Sequence, residues 1–221
     1  MIRVNPSFPS NPRLMLPRVY ALTDVHVSGL SHAEQVELLS AGGATLIQLR
    51  EKEMSPREFY PQAKEAVAVA ARRGVQLIIN DRVDMALAVG AHGVHIGQDD
   101  MPPEAARRLL GAEAVIGYST HNLEQAIAAT KLPIDYLAIG PIFATTSKSD
   151  TAPVLGLDGL RAVRQAIGPF PLVAIGGISQ ANARQVVEAG ADSVAVISAL
   201  LSDPTRINEA TRQLNLELRQ T

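Results

Sequence analysis

Val75-Gln76-Leu77-Ile78-Ile79-Asn80-Asp81 is an apolar run that ends in two polar residues. A short helical stretch near Val83 follows, and then the glycine turn Val89-Gly90-Ala91-His92. A second apolar run, Gly93-Val94-His95-Ile96-Gly97-Gln98-Asp99-Asp100, again ends in polar residues. Apolar run, helix, glycine turn and apolar run form the pattern of a βα unit feeding a parallel sheet. Outward from this stretch the pattern recurs in both directions, with runs at Val19–Leu22, Thr45–Leu49, Ala114–Ile116, Tyr136–Ile139, Leu172–Ile175 and Ser193–Ile197. With Val75–Ile79 and Gly93–Ile96 they predict eight strands. A doubly wound sheet would also alternate, but eight units within 221 residues suit a compact closed (β/α)8 TIM barrel better.

The helix boundaries support this division. Ser31-His32-Ala33-Glu34 and Ser55-Pro56-Arg57-Glu58 read as capping boxes, the second with proline at the first helical position. Ala41-Gly42-Gly43-Ala44, Val89-Gly90-Ala91-His92 and Ala189-Gly190-Ala191-Asp192 repeat a glycine where the chain must leave a helix, as degenerate βα repeats would. Residues 1–17 carry Pro6, Pro9, Pro12 and Pro17 without a continuous apolar core. They resemble neither a signal peptide nor a membrane span, and are read as an extended tail on the barrel surface ahead of a single domain over 18–221. Between Gly140 and Gly156 there is little helix or strand patterning, and a loop of that length in a small domain is usually functional or disordered.

Composition narrows the function. With 47% apolar residues the chain can bury a substantial core. Twenty basic against 22 acidic side chains, a net charge of −2, give no general reason to bind nucleic acid or an anionic membrane, and leave a small anionic substrate open. The absence of cysteine excludes disulfides, thiolate nucleophiles and cysteine-ligated zinc, and fits a cytoplasmic setting. An apolar helix face would allow a homodimer.

The chemistry-bearing residues gather after the strands, at the end where this fold places its sites. Alternation sends Gln48, Arg50 and Lys52 of Gln48-Leu49-Arg50-Glu51-Lys52 to one side, offering an amide and two cations to one anionic group. A solvated strand end would read the same way. Asp81 and Asp100 follow adjacent strands, which lie roughly 5 Å apart, and so could approach one hard cation such as Mg²⁺. Each taken singly could instead cap the short helix behind it. Gly140-Pro141-Ile142-Phe143-Ala144-Thr145-Thr146-Ser147-Lys148-Ser149 sets hydroxyls beside a lysine, the make-up of an oxyanion cradle. Ile175-Gly176-Gly177-Ile178-Ser179 and Ile197-Ser198-Ala199 follow the last two strands, where phosphate frequently binds in this fold. Of the histidines, His32 is expected at an exposed helix start and His95 as a hydrogen-bonded barrel residue. His121, in Ser119-Thr120-His121-Asn122 after strand five, is on the right side for proton transfer. No zinc-like spacing or serine-hydrolase elbow is present.

In order along the chain, Gln48-Leu49-Arg50-Glu51-Lys52, Asn80-Asp81-Arg82, Gly93 to Asp100, Gly140-Pro141-Ile142-Phe143, Thr145-Thr146-Ser147-Lys148 and Ala174-Ile175-Gly176-Gly177-Ile178 resemble the thiamine phosphate synthase family. The resemblance runs from about Val19 to about Ala199, and the ordered set is far more specific than any one motif. It implies a transferase that couples 4-amino-2-methyl-5-pyrimidinylmethyl diphosphate to thiazole phosphate and releases pyrophosphate. It further implies that Gln48, Arg50, Lys52, Asn80, Ser119 and Lys148 hold the pyrimidine diphosphate, and that Asp81 and Asp100 ligate Mg²⁺. Thr145, Thr146, Ser147, Gly177, Ile197 and Ser198 would hold the thiazole phosphate, while Lys52, Lys148 and Ser119 would carry catalysis. Ser147 stands where the family usually has threonine and Ala144 where it often has proline. His92 and Ser193 replace a commoner Asp and Gly away from the site. The rivals are a thiazole phosphate tautomerase, which uses a histidine at the position resembling His121, and a non-catalytic thiazole-phosphate-binding barrel. A tautomerase has no need of Asp81, Asp100, Lys52 and Lys148 together, and the loss of a metal aspartate that would favour the binding barrel is not seen.

Overall fold

The computed structural model describes residues 14, 16–145 and 153–219. Its strands are β1 (Val19–Thr23), β2 (Leu46–Leu49), β3 (Gln76–Asn80), β4 (Gly93–Ile96), β5 (Val115–Thr120), β6 (Tyr136–Ile139), β7 (Leu172–Ile175) and β8 (Ser193–Val196). Its helices are α1 (Val25–Ser28), α2 (His32–Ala41), α3 (Pro56–Arg73), α4 (Val83–Val89), α5 (Pro103–Leu110), α6 (Leu123–Ala129), α7 (Gly156–Ile167), α8 (Gln180–Glu188), α9 (Ser198–Leu201) and α10 (Ile207–Arg219). Every neighbouring pair of strands is parallel, and β8 pairs with β1, so the sheet closes in sequence order as the expected (β/α)8 barrel. No helix among the described residues is long and apolar enough to cross a membrane.

The strands are buried on both faces, which is why they read as apolar runs without clean alternation. In β1, Val19 and Ala21 face the helical layer while Tyr20 and Leu22 face the barrel interior. The interior cluster also takes Leu46, Ile78, Val115, Tyr136, Ala138, Val173 and Ala195, and Leu14 and Leu16 pack against it ahead of β1. The remainder of the expected tail, residues 1–13 and 15, lies outside the described residues. Both capping boxes form: Glu34 N–H donates to Ser31 Oγ (3.3 Å) while Ser31 N–H donates to Glu34 Oε2 (2.8 Å), and Ser55 and Glu58 repeat the exchange.

One strand differs from the sequence reading. Expected over Ala114–Ile116, β5 continues to Thr120, so Ser119 sits on the strand rather than after it. Gly117 interrupts the apolar run and hides the continuation, yet it is the residue the barrel needs there. A Cβ at Gly117 would lie 2.1 Å from Tyr136 Cζ and 2.4 Å from His95 Nδ1, so only glycine leaves room for these rings.

The repeats have a physical counterpart at the amino-terminal end of the barrel. Arg107 of α5 donates to Asp135 Oδ2 (2.8 Å) and to the Ala114 carbonyl (2.5 Å), and Asp135 accepts the Ile116 N–H (2.7 Å). Arg164 of α7 does the same with Asp192 (2.5 Å), which accepts the Leu172 N–H (2.8 Å). At β3 the acceptor is His92, whose Nδ1 takes the Leu77 N–H (3.1 Å). The histidine thus fills the place of the carboxylate while its ring is unprotonated.

His32 is fully buried, not exposed as its place in a first helical turn suggested. Its Nδ1 shares a 2.7 Å hydrogen bond with Thr23 Oγ1, Nε2 lies 3.4 Å from Glu51 Oε2, and Phe59 meets the ring edge-on. Glu51 in turn accepts the Glu53 and Met54 N–H groups. The histidine therefore ties the start of α2 to the β2–α3 loop that carries Lys52, a contact only the folded chain creates.

Two outcomes follow. Asp135, largely buried against Arg107, leaves an uncompensated guanidinium when removed. Asp135→Ala should lower the unfolding free energy by about 3 kcal/mol in urea titrations, and Asp192→Ala by less, since that carboxylate is 47% exposed. Burial holds the imidazoles of His32 and His92 below the usual 6.5, against the pull of Glu51 in the case of His32. As pH falls the unfolded chain therefore takes up protons first. The stability these groups contribute is complete above pH 6.5 and declines below it. Urea midpoints taken from about pH 7.5 to about 5.5 should fall, and less steeply in His32→Gln.

Candidate active site

The carboxyl ends of the strands surround a cavity of about 980 Å³. Its floor is made by inward-facing strand residues and its walls by the loops after the strands. Gln48, Arg50 and Lys52 all line it, as alternation past β2 requires. The two cations already meet carboxylates: Arg50 Nη1 lies 2.5 Å from Asp24 Oδ2, and Lys52 pairs with Asp81. Asp24 escaped the sequence reading. It follows β1, accepts the His26 N–H (3.0 Å) at the start of α1 and fixes the Arg50 guanidinium. Its position just past a strand was the available signal.

Asp81 and Asp100 come together beside Lys52. Neither caps a helix: the residues preceding α4 and α5 are Arg82 and Pro102, and no side-chain cap is present at either. The helix-capping explanation left open for the two aspartates is thereby removed. Asp81 turns the chain out of β3 with φ at 61°, a left-handed conformation that few non-glycine residues adopt. Asp100 accepts the Gly97 N–H at 2.6 Å. Burial and the neighbouring Asp81 push the Asp100 carboxyl above its usual range, although the Gly97 N–H and Lys52 pull it down. Two carboxylates facing one ammonium leave an excess of negative charge. Among the described residues no group of three or more His, Cys, Asp or Glu is placed to hold a metal ion.

Asn80, the last residue of β3, lines the cavity with a buried Nδ2 that has no hydrogen-bond partner among the described residues. A buried donor facing a cavity is a group that a ligand acceptor or an ordered water would satisfy. Ser119 Oγ lies 2.8 Å from His95 Nε2, and His95 Nδ1 lies 3.0 Å from the Tyr136 hydroxyl. His95 is thus the hydrogen-bonded barrel residue expected. Tyr20 and Tyr136, read only as strand residues, prove to be polar members of the floor: their hydroxyls are 2.9 Å apart, and Gln48 Nε2 donates to Tyr20 at 3.0 Å. His121 lines the wall and donates from Nδ1 to the Gly140 carbonyl (2.8 Å), with Nε2 as its other ring nitrogen.

On the far side, the start of the β6–α7 loop pairs with the β7–α8 loop: Ile142 N–H donates to the Ile175 carbonyl and Phe143 N–H to that of Gly176, both at 3.0 Å. Gly177 makes this possible, since a Cβ there would lie 2.5 Å from the Ala144 carbonyl oxygen. Thr145, Gly177, Ile197 and Ser198 line the cavity. Thr146, Ser147 and Lys148 lie outside the described residues.

Comparison with known proteins fits this geometry. Residues 19–200 match the family described as thiamine monophosphate synthase. The chain is 52% identical over 198 residues to the thiamine-phosphate synthase of Chloroflexus aurantiacus, covering 89% of this chain and 90% of that protein. It is equally identical to that of Koribacter versatilis, over 86% of this chain and 92% of the relative. Among solved structures, the thiamine phosphate pyrophosphorylase of Pyrococcus furiosus superposes with a TM-score of 0.82 at 37% identity, covering 92% and 96% of the two chains. On sequence and fold together, the chain belongs to the thiamine monophosphate synthase family.

Proposed function

We propose that the mouth of this barrel joins 4-amino-2-methyl-5-pyrimidinylmethyl diphosphate to thiazole phosphate and releases pyrophosphate. The observation that carries this reading is the gathering of Lys52, Asp81, Asp100 and the buried Asn80 amide at one end of a cavity of about 980 Å³. That set answers to a diphosphate with a hard cation, and an isomerisation of thiazole phosphate has no use for it. Gln48, Asn80 and Ser119 hold the aminopyrimidine. Arg50, Lys52 and Lys148 neutralise the diphosphate, Lys148 resting on the family resemblance alone. Thr145, Thr146 and Ser147 with the backbone around Gly177, Ile197 and Ser198 hold the thiazole phosphate.

The carbon–oxygen bond between the pyrimidine methylene and the diphosphate breaks first, and the thiazole nitrogen then attacks the resulting cation. No side chain has to act as a nucleophile, so the protein contributes positioning and charge stabilisation. Lys52 and Lys148 offset charge on the departing pyrophosphate, Ser119 orients the pyrimidine, and the loops exclude water from the cation. Asp81 and Asp100 fit Mg²⁺: two adjacent carboxylates share the single ammonium of Lys52, and such ions take one or two carboxylates. When bound, Mg²⁺ supplies Lewis-acid neutralisation of diphosphate charge.

Purified protein given both substrates should form thiamine phosphate with Mg²⁺ and lose the activity in EDTA. Thiazole phosphate binding without any coupling would move the reading to a tautomerase or a binding protein. Asp81→Ala should reduce coupling by about 100-fold or more while thiazole phosphate still binds in calorimetry. Asp100→Asn keeps an oxygen for the Gly97 N–H and removes the repulsion with Asp81. It should abolish coupling yet raise the melting temperature of the metal-free protein by up to a few degrees.

A further inference from the structure

Across the barrel floor runs a continuous polar chain, most of which the reaction as described leaves without a task. Gln48 Nε2 donates to the Tyr20 hydroxyl at 3.0 Å, and the Tyr20 and Tyr136 hydroxyls are 2.9 Å apart. Tyr136 reaches His95 Nδ1 at 3.0 Å, and His95 Nε2 reaches Ser119 Oγ at 2.8 Å. The chain joins β2, β1, β6, β4 and β5, and its two ends, Gln48 and Ser119, both line the cavity. The rings have little freedom. His95 stacks on Tyr136 with centroids 5.5 Å apart, Tyr20 meets Tyr136 edge-on at 5.9 Å, and Gly117 is the notch that admits them.

Counting hydrogens gives the chain a direction. Each phenol owns one, and burial keeps both phenols protonated. Tyr20 accepts from the Gln48 amide, and of the two senses open to the Tyr20–Tyr136 bond only donation by Tyr20 gives its own hydrogen a partner in the chain. Tyr136 in turn sends its own to His95 Nδ1. A neutral imidazole accepting at Nδ1 carries its hydrogen at Nε2 and donates it to Ser119 Oγ. Ser119 therefore keeps its hydroxyl hydrogen for the cavity, and Gln48, its amide hydrogens turned to Tyr20 and Tyr136, presents its carbonyl oxygen.

We infer that Tyr20, Tyr136 and His95 are positioning residues that set the hydrogen-bond polarity of the pyrimidine subsite, making Gln48 an acceptor and Ser119 a donor. The inference rests on the reading that the pyrimidine lies between these two residues. One acceptor and one donor match an exocyclic amine and an unprotonated ring nitrogen. A 4-oxo pyrimidine would set a carbonyl against the Gln48 carbonyl and a ring N–H against the Ser119 hydroxyl hydrogen. Accepting it would require every bond of the chain and the Gln48 amide to reverse together, so discrimination belongs to the chain as a unit.

Two measurements on the full-length protein test this. Nitrogen-15 histidine NMR at neutral pH, with His95 assigned by its loss in His95→Asn, should show the Nε2–H tautomer. The Nδ1–H tautomer or an imidazolium would overturn the inference. Separately, kcat/KM is measured for the 4-amino and 4-oxo pyrimidinylmethyl diphosphates. The wild-type protein should prefer the amine by about 100-fold, and Tyr136→Phe and Tyr20→Phe should each erode that ratio by about 10-fold. A merely structural defect would lower both values alike and leave the ratio intact, and an unchanged ratio would overturn the inference. Should wild-type protein couple neither diphosphate, the functional reading fails and the inferred role in the pyrimidine subsite falls with it. The tautomer then still decides whether the chain has the direction assigned.

Discussion

When β8 pairs with β1, through Val19 with Val194 and Ala21 with Val196, the sheet has no edge left, and every strand residue is committed to the interior or to the helical layer. The rest of the structure depends on that closure. Strands as short as four residues are enough because each has a partner on both sides. The interior must be filled, so side chains from opposite walls meet. Toward one end they are apolar, with Leu46, Ile78, Val115 and Val173 packed together. Toward the other they become polar, and Gln48, His95 and Ser119 bring hydrogen-bonding groups to a floor that water alone would otherwise have to satisfy.

The two ends of the barrel use charge in opposite ways. At the amino-terminal end each arginine clamp is complete: Arg107 with Asp135 and Arg164 with Asp192 satisfy backbone N–H and carbonyl groups where helices hand over to strands. At the carboxyl end the balance is left open. Lys52 serves Asp81 while Asp100 stands beside them with its charged form disfavoured. Asp81 also holds a left-handed backbone conformation, and the Asn80 amide nitrogen has no partner among the described residues. The left-handed Asp81 and the Asn80 amide both sit at the cavity mouth, whereas Ser193 Oγ, also buried without a partner among the described residues, lies at the start of β8 away from it.

Much of this was legible before any coordinates. Apolar runs, capping serines and glycine turns are local features, and they located the eight strands to within a residue or two at most ends. The exception, β5, was cut short because Gly117 reads as a break when only its neighbours in sequence are considered. His32 was misjudged for a similar reason. Position in a helix predicts exposure only on average, and Glu51 and Thr23, which enclose the ring, come from other elements. Tyr20 and Tyr136 read only as strand residues because nothing local distinguishes a packed phenol from one that carries a hydrogen bond.

By itself, the sequence determined the alternation of strand and helix, the placing of polar residues after the strands and the family to which the chain belongs. All three are written in short, contiguous motifs. Tertiary structure alone decided which carboxylate meets which cation, which histidine is buried and which hydroxyls join into one chain. Arg50 and Asp24 are 26 positions apart and Tyr20 and Tyr136 are 116 apart. Such pairs have no signature along the chain, because their contact exists only once the sheet has closed and set the ends of distant strands side by side.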